Sequence, residues 1–360
     1  MRDAFVDLFT TLSQAHGASG SEGPVRRTIR EALNENGETD ALGNVMFRCP
    51  GSADRPVILV AAHMDEVGMA VQSITGDGFL RFVPLGGMWN GTLPGLRVRV
   101  RTRADGEVTG VIATKPVHFQ SSAEKRKLPE IENLFIDVGA ADRQDAEENL
   151  GIRLGDPIVP DASATQMPGR DLLLAKAMDD RLGVTEAVML HRNLAAQQHP
   201  NTVWVAGTVQ EELGARGART ICESLHPDVC LVLEGTPADD LPGSPPDERQ
   251  AIVGAGVQVR LSDSSALMHR ALVDFVIDVA RECDIPHQLA VRRSGGTDAQ
   301  AIHLHGRGVP TVVLGTPARY IHTANSIASI SDCLAGLRLA AELVKSLDQD
   351  AIRTLTTFRD

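Results

Sequence analysis

The sequence predicts an α/β protein in which a small β-rich module interrupts a larger strand-and-helix domain. Short apolar runs rich in Val, Leu and Ile recur at residues 56–62, 172–180, 203–207, 229–233 and 309–314. Their length, and in 203–207 the β-branched content, are those of buried strands in an α/β sheet. Between residues 69 and 161 the texture changes to short alternating segments and Gly-rich turns, with no helical periodicity until 143–150. That stretch reads as an insertion, because the strand-and-helix texture of residues 1–68 resumes over 162–360.

Composition narrows the class. A chain of 360 residues is long enough for about two domains. Hydrophobic residues make up 42% but aromatics only 3%, so the core is built from Val, Leu, Ile and Ala. A formal charge of −12 argues against nucleic acid as a partner, since phosphate binding rests on clustered Lys and Arg. No apolar run of about 18 residues suggests a membrane span, and the acids inside residues 1–17 suit an amphipathic helix better than a secretory signal. The cysteines Cys49, Cys222, Cys230, Cys283 and Cys333 are odd in number, scattered and without a CxxC pair. Reduced thiols in a cytoplasmic protein follow, and any metal would be held by His, Asp and Glu instead of thiolates.

In chain order, residues 21–34 read as a helix entered through Ser21 as a cap, with Pro24 in its first turn. Residues 48–54 read as a turn. The run 56–62 ends on His63-Met64-Asp65-Glu66, a possible ligand with a carboxylate to orient it. Within the insertion, LRVRVRTR followed by ADG is a hairpin signature. The run 172–180 ends on Asp179-Asp180 and leads into a helix over 182–193. The strand 203–207 ends on Glu211-Glu212, with a helix over 216–224 beyond it. Strand 229–233 ends on Glu234, and 251–261 reads as an edge or short strand. A long helix is expected over 265–283, then a Gly-Gly loop, Ser294 to Ala299, with Thr297 and Asp298 at its polar tip. Strand 309–314 leads to His322, and Ser331 is placed as the cap of a closing helix over 332–347.

The coincidence of these endings matters more than any one of them. Ligands and catalytic groups gather outside the carboxyl ends of strands in open α/β sheets, and here His63, Asp179, Glu211, Glu212, Glu234 and His322 all converge on such ends. Two imidazoles and several carboxylates match a two-metal hydrolytic site, in which one carboxylate bridges and another, unligated, takes the proton of the attacking water.

The blocks His63-Met64-Asp65-Glu66-Val67-Gly68, Met178-Asp179-Asp180-Arg181, Gln210-Glu211-Glu212-Leu213-Gly214, Leu233-Glu234-Gly235-Thr236, Ser294-Gly295-Gly296-Thr297-Asp298-Ala299 and Arg319-Tyr320-Ile321-His322 together resemble the tetrahedral (TET) aminopeptidases. These are co-catalytic dinuclear zinc metallopeptidases, and members have carried the labels glutamyl aminopeptidase and cellulase. The resemblance spans essentially the whole chain. It implies a mixed-sheet, three-layer metallopeptidase domain, with residues 69–161 as an inserted β-barrel-like (PDZ-like) dimerisation domain. It further implies that His63 and Glu234 bind one ion and Glu212 and His322 the other, that Asp179 bridges them, and that the Asp179–Asp180 peptide is cis. Asp65 would orient His63, and Glu211 would be the general base. Many relatives have Asp where this chain has Glu234.

Two divalent ions, Zn²⁺ with Co²⁺ or Mn²⁺ as alternatives, are thus expected, as are peptide substrates with a free N-terminus and self-association of dimers into a dodecamer. Thr297 and Asp298 are candidates for the substrate site, and His118, in a KPxH-like segment, for contact with a neighbouring subunit's site. A β-glycan hydrolase, which needs only a pair of carboxylates, a deacylase on the same centre and a non-catalytic assembly protein remain as alternatives. The residue preference at the substrate N-terminus stays open.

Overall fold

The computed structural model describes residues 1–358. The chain opens with α1 (Arg2–Gln14) and α2 (Gly23–Leu33), followed by strands β1 (Glu38–Thr39), β2 (Val45–Cys49) and β3 (Val57–His63). Arg48 and Cys49 thus end a strand where the sequence suggested only a turn. The reason is tertiary: β2 pairs antiparallel with a distant strand at 202–208, and nothing local signals it. Helix α2 starts at Gly23 with Glu22 at its cap position and no side-chain cap bond, so Ser21 does not cap it.

Immediately after β3 the chain enters a closed antiparallel barrel of β4 (Gly68–Ile74), β5 (Leu80–Leu85), β6 (Arg97–Arg101), β7 (Glu107–Ala113), β8 (Phe135–Asp137) and β9 (Pro157–Pro160). Alternation explains its core. Val98 and Val100 point inward with Val71, Phe82, Ile112, Ile136 and Ile158, while Arg97, Arg99 and Arg101 remain outside. The expected helix near 143–150 is a short π-helix, Asp145–Asn149. Gly68 is where the barrel leaves the sheet, and a Cβ there would lie 2.7 Å from the Ile158 carbonyl.

The remaining strands, β10 (Thr165–Gln166), β11 (Leu172–Ala175), β12 (Thr202–Thr208), β13 (Val229–Pro237), β14 (Val257–Ser262), β15 (His287–Val291), β16 (Thr311–Arg319) and β17 (Ser326–Ser329), complete a mixed sheet of order β1-β2-β12-β3-β13-β16-β17-β11-β10. β12, β3, β13 and β16 run parallel at its centre. β14 pairs with both β15 and β16, so the segment expected as an edge strand is flanked on each side. Helices flank the sheet: α3 (Met178–Leu194) lies on β3 and β13 beside α1 and α7 (Ile330–Ser346), while α4 (Arg216–Leu225) and α6 (Ala299–Ile302) pack on β12 and β16. α5 (Arg270–Glu282) is shorter than its apolar pattern suggests, because Asp263 turns the preceding residues by accepting from the N–H groups of Ser265 and Ala266. Ser329, not Ser331, caps α7, and α8 (Gln349–Leu355) closes the fold. No described helix is long and apolar enough to cross a membrane.

Candidate active site

The site lies where the parallel strands end. In register, His63 at the end of β3 sits opposite Thr208 at the end of β12. Glu234 lies within β13, Asp179 and Asp180 start α3, Glu211 and Glu212 follow β12, and His322 follows β16. The turns that deliver these groups are tight: Ala177, Gln210, Tyr320 and His322 all have φ between 52° and 61°. Non-glycine residues rarely take that conformation, and it clusters at functional sites. The Asp179–Asp180 peptide is cis, as the resemblance implied.

Asp179 stands between two imidazoles. Its Oδ1 lies 2.8 Å from His63 Nε2 and its Oδ2 lies 3.0 Å from His322 Nε2. Glu234 Oε1 is 3.3 Å from the same nitrogen of His63, and Glu212 Oε1 is 3.3 Å from that of His322. N and O donors bound at 2.0–2.2 Å around one tetrahedral ion stand about 3.3 Å apart. Ligand atoms of His63, Asp179 and Glu212, and of His63, Asp180 and Glu234, lie within 4.8 Å of one another. Glu212 Oε1 is buried without a hydrogen-bond partner; the contact with His322 is close in distance but poorly directed. These residues can hold metal.

The supporting groups are equally specific. Asp65, fully buried, accepts from the Ser19 hydroxyl at 2.6 Å and from the backbone N–H groups of Glu211 and Glu212 at 2.9 and 3.2 Å. Its Oδ1 also lies 3.3 Å from His63 Nδ1. One carboxylate therefore ties the β3 turn to the Glu-Glu turn. Behind it, Glu66 accepts from Lys176 Nζ at 2.6 Å and from Arg181, which also donates to the carbonyls of Met64 and Asp65. Glu66 is thus spent on structure. His322 Nδ1 faces the Gly87 carbonyl at 2.7 Å, so a loop of the barrel orients an imidazole of the sheet domain.

Electrostatics follow from crowding. Burial, then the charge of Glu234, pushes Asp180 well up; burial with Glu234, Asp298 and Glu212 does the same to Glu211. Burial, with the charge of Asp179, pushes Glu234 up to about 8. Burial disfavours the carboxylate of Asp179 and the imidazolium of His322, yet their mutual hydrogen bond, the further bonds to His63 and Glu212 and the opposite charges together outweigh it. Asp179 is held well below the usual carboxylate range and His322 is raised to about 11. Such a concentration of buried acid is costly unless cations share the space.

A cavity of about 530 Å³ opens from this cluster and is lined by Asp179, Glu211, Glu212, Glu234, Thr297 and His322 among others. Asp298 lies beneath it, 1% exposed, accepting from the Thr208 hydroxyl. His118 lies apart, in an exposed turn of the barrel at Val117–Phe119. His303 caps α6, with its Nδ1 on the Ala299 carbonyl. Sequence reasoning passed over Asp180, whose Oδ2 accepts from the backbone N–H of His63 at 3.1 Å. It also missed Arg260 and Arg292 on the cavity wall. An arginine inside the alternating strand VQVRL and another beside the Gly-Gly loop were the signals available.

A family model described as M42 glutamyl aminopeptidase matches residues 43–339. Glutamyl aminopeptidase of Lactococcus lactis is 32% identical, over 98% of this chain and 99% of its own. Lysyl aminopeptidase of Pyrococcus furiosus is 31% identical, over 95% and 97%. Among solved structures, a TET aminopeptidase from a marine sediment archaeon of the Thaumarchaeota superposes with a TM-score of 0.94 at 41% identity, over 98% of this chain and 99% of that one. The TET1 peptidase of Pyrococcus horikoshii, described as assembling into a tetrahedron or a large octahedral shell, gives 0.85 at 27% identity, over 95% and 100%. A Thermotoga maritima protein titled endoglucanase gives 0.78 at 29% identity, over 97% and 99%.

Proposed function

The chain belongs to the M42 glutamyl aminopeptidase family, and from that premise we propose that it is a dinuclear metallo-aminopeptidase removing N-terminal residues from peptides. Asp179 is the observation that carries the reading, because its two oxygens face the imidazoles of His63 and His322 at 2.8 and 3.0 Å. A carboxylate shared by two ions needs that disposition. His63 with Glu234 would hold one ion and Glu212 with His322 the other. Imidazole and carboxylate donors without thiolate suit Zn²⁺, with Co²⁺ or Mn²⁺ as alternatives.

Held there, divalent ions would supply Lewis acidity, acidifying a water from a pKa of 15.7 toward about 7 and polarising an amide carbonyl. Glu211 is the general base: its carboxylate would take a proton from the water as the water oxygen bonds to the amide carbon, and would pass it to the amine nitrogen as the C–N bond breaks. Burial and the neighbouring carboxylates raise its proton affinity, and the bond from its N–H to Asp65 fixes its turn. Asp65 orients His63. A substrate's free α-ammonium meets the carboxylate cluster, which favours chains that begin at this point over internal peptide bonds. Thr297, on the cavity wall, contacts substrate, whereas Asp298 acts from below by holding Thr208.

Residues 69–161 form the oligomerisation domain, and the protein builds dimers that assemble into a dodecamer. Exposed apolar residues of the barrel, Val117, Phe119 and Leu128, support this, as do the assemblies described for relatives. We place His118 against a neighbouring subunit's site. Cysteines that are all free suit the cytoplasm. A glycan cleft would leave His63 and His322 without work, despite the endoglucanase title of one structural relative.

Glu211→Gln tests the mechanism. Metal content by elemental analysis is expected to stay at two ions per chain while release of N-terminal residues from a peptide falls by about 10²–10⁴-fold. Unchanged turnover would remove Glu211 from the reaction. Hydrolysis of a β-glucan by EDTA-stripped protein would remove the peptidase reading itself.

A further inference from the structure

The turn that carries Glu211 is held by side chains. Four successive backbone N–H groups each donate to one: Val209 to Asn44 Oδ1 at 3.0 Å, Gln210 to Glu22 Oε1 at 3.1 Å, and Glu211 and Glu212 to the two oxygens of Asp65 at 2.9 and 3.2 Å. Most hydrogen bonds of a folded chain join backbone to backbone. Here the acceptors come from three segments distant in sequence, immediately before β2, at the start of α2 and just past β3. Asn44 and Asp65 are fully buried and Glu22 is 3% exposed. The path from β12 into the Glu-Glu pair is therefore set from outside that segment.

Of the three acceptors, Asp65 also addresses His63, and Asn44 also donates to Asp40, Gly217 and Thr220. Glu22 is differently placed. It occupies the N-cap position of α2, where a polar side chain ordinarily accepts from N–H groups of its own helix, yet it makes no cap bond. Its Oε1 accepts instead from the Gly20 N–H at 2.7 Å and, across the fold, from Gln210. Gln210 has φ 55°, a conformation that a non-glycine residue keeps only where its surroundings impose it. Glu22 holds the N–H of that residue, and Asp65 holds the next two. The same short segment braces the β3 turn as well: the Ser19 hydroxyl donates to Asp65 at 2.6 Å, and the Gly17 carbonyl accepts from the Glu66 N–H at 2.9 Å.

Resting on the aminopeptidase reading, we propose that Glu22 is a positioning residue for Glu211, fixing the backbone of Gln210 and through it the direction from which the Glu211 carboxylate reaches the water. Glu22 itself does not line the cavity, and both of its bonds go to backbone N–H groups. Its effect therefore falls on turnover. A reacting group misplaced by about 1 Å costs about 10²-fold in rate. Ion retention is separate, because His63, Asp179, Glu234 and His322 stand on other elements, and Glu212 keeps its own bond to Asp65.

The test compares Zn²⁺-loaded full-length wild type with Glu22→Ala and Glu22→Gln on a peptide that has a free N-terminus. Glu22→Ala removes the acceptor, and kcat is expected to fall by about 10–10²-fold with KM and metal content unchanged. Glu22→Gln keeps an oxygen for the Gln210 N–H and should restore most of that loss. A kcat unmoved by Glu22→Ala, a loss carried by KM or by missing metal, or a Gln variant as slow as the Ala variant overturns the proposal. Should circular dichroism show that Glu22→Ala does not fold, Glu22→Asp, which keeps the charge but withdraws the acceptor by one methylene, is read in the same way. Should the wild type release no N-terminal residue, the peptidase reading fails and the positioning is read alone by amide hydrogen exchange over residues 209–212. Faster exchange there in Glu22→Ala than in wild type supports it, and identical exchange overturns it.

Discussion

Glu186 lies about two turns into α3, the helix whose first turn carries Asp179 and Asp180. It is buried, 1% exposed, and its Oε1 accepts from the Thr316 hydroxyl at 2.8 Å. Burial raises its carboxyl, the Thr316 bond lowers it, and the charge of Asp332 raises it again, leaving it at about 8 against an ordinary 4.5. Below pH 4.5 it is protonated both folded and unfolded, and the stabilising proton is fully present. Between pH 4.5 and 8 the unfolded chain releases its proton while the folded chain keeps it, so stability falls as pH rises. At 1.36 kcal/mol per unit, the loss is about 3 kcal/mol by pH 7 and about 5 kcal/mol above pH 8. Glu186→Gln retains an oxygen for Thr316 and never ionises. Urea midpoints of variant and wild type, taken at pH 5, 7 and 9, should therefore diverge in the variant's favour as pH rises. Other titrating groups cancel in that difference. A difference independent of pH would show that Glu186 is not held neutral by its surroundings.

Asp65→Asn keeps the volume but loses the charge that Ser19, His63 and two backbone N–H groups address; metal affinity, read by competition with a chromophoric chelator, should weaken by about 10–100-fold. Gly86 has φ +92°, and a Cβ there would lie 2.9 Å from Val67 and 3.2 Å from Glu212. Gly86→Ala should thus lower retention of one ion in preference to the other, seen as a metal stoichiometry falling from two toward one per chain. Stripping metal with a chelator should lower the thermal midpoint, because the buried carboxylates then repel one another. Restoring Zn²⁺ should return it, and a midpoint indifferent to metal would count against a structural share in the ion site.

The sheet was readable because its central strands are continuous apolar runs, each ending in a polar group where the chain turns. β2 was hidden, since MFRC gains strand character by pairing with β12 on one side and the two-residue β1 on the other. The cap of α7 was misplaced by two residues because both Ser329 and Ser331 are competent, and only the register of β17 against β11 decides between them. Within the site, the candidate ligands were visible as isolated acids and histidines at strand ends. The arginines were not: Arg260 reads as an ordinary outward residue of an alternating strand, and its burial rests on Asp263, three residues further along, and on Thr236 in β13.

That asymmetry has a physical basis. Groups that face ions must be rare types at chain reversals, so they stand out from any apolar strand. Groups that face a substrate side chain need only a donor and a wall, and common residues supply both. The barrel loop fits neither kind. Gly86 and Gly87 carry no functional side chain, yet one abuts Glu212 and the other presents its carbonyl to His322. Because the loop follows directly from β5, any displacement of the barrel relative to the sheet would move the support of His322 and Glu212 while leaving His63 and Glu234 on β3 and β13. The two halves of the candidate metal centre are therefore mechanically unequal: one is built wholly on the sheet, and the other is shared with the barrel.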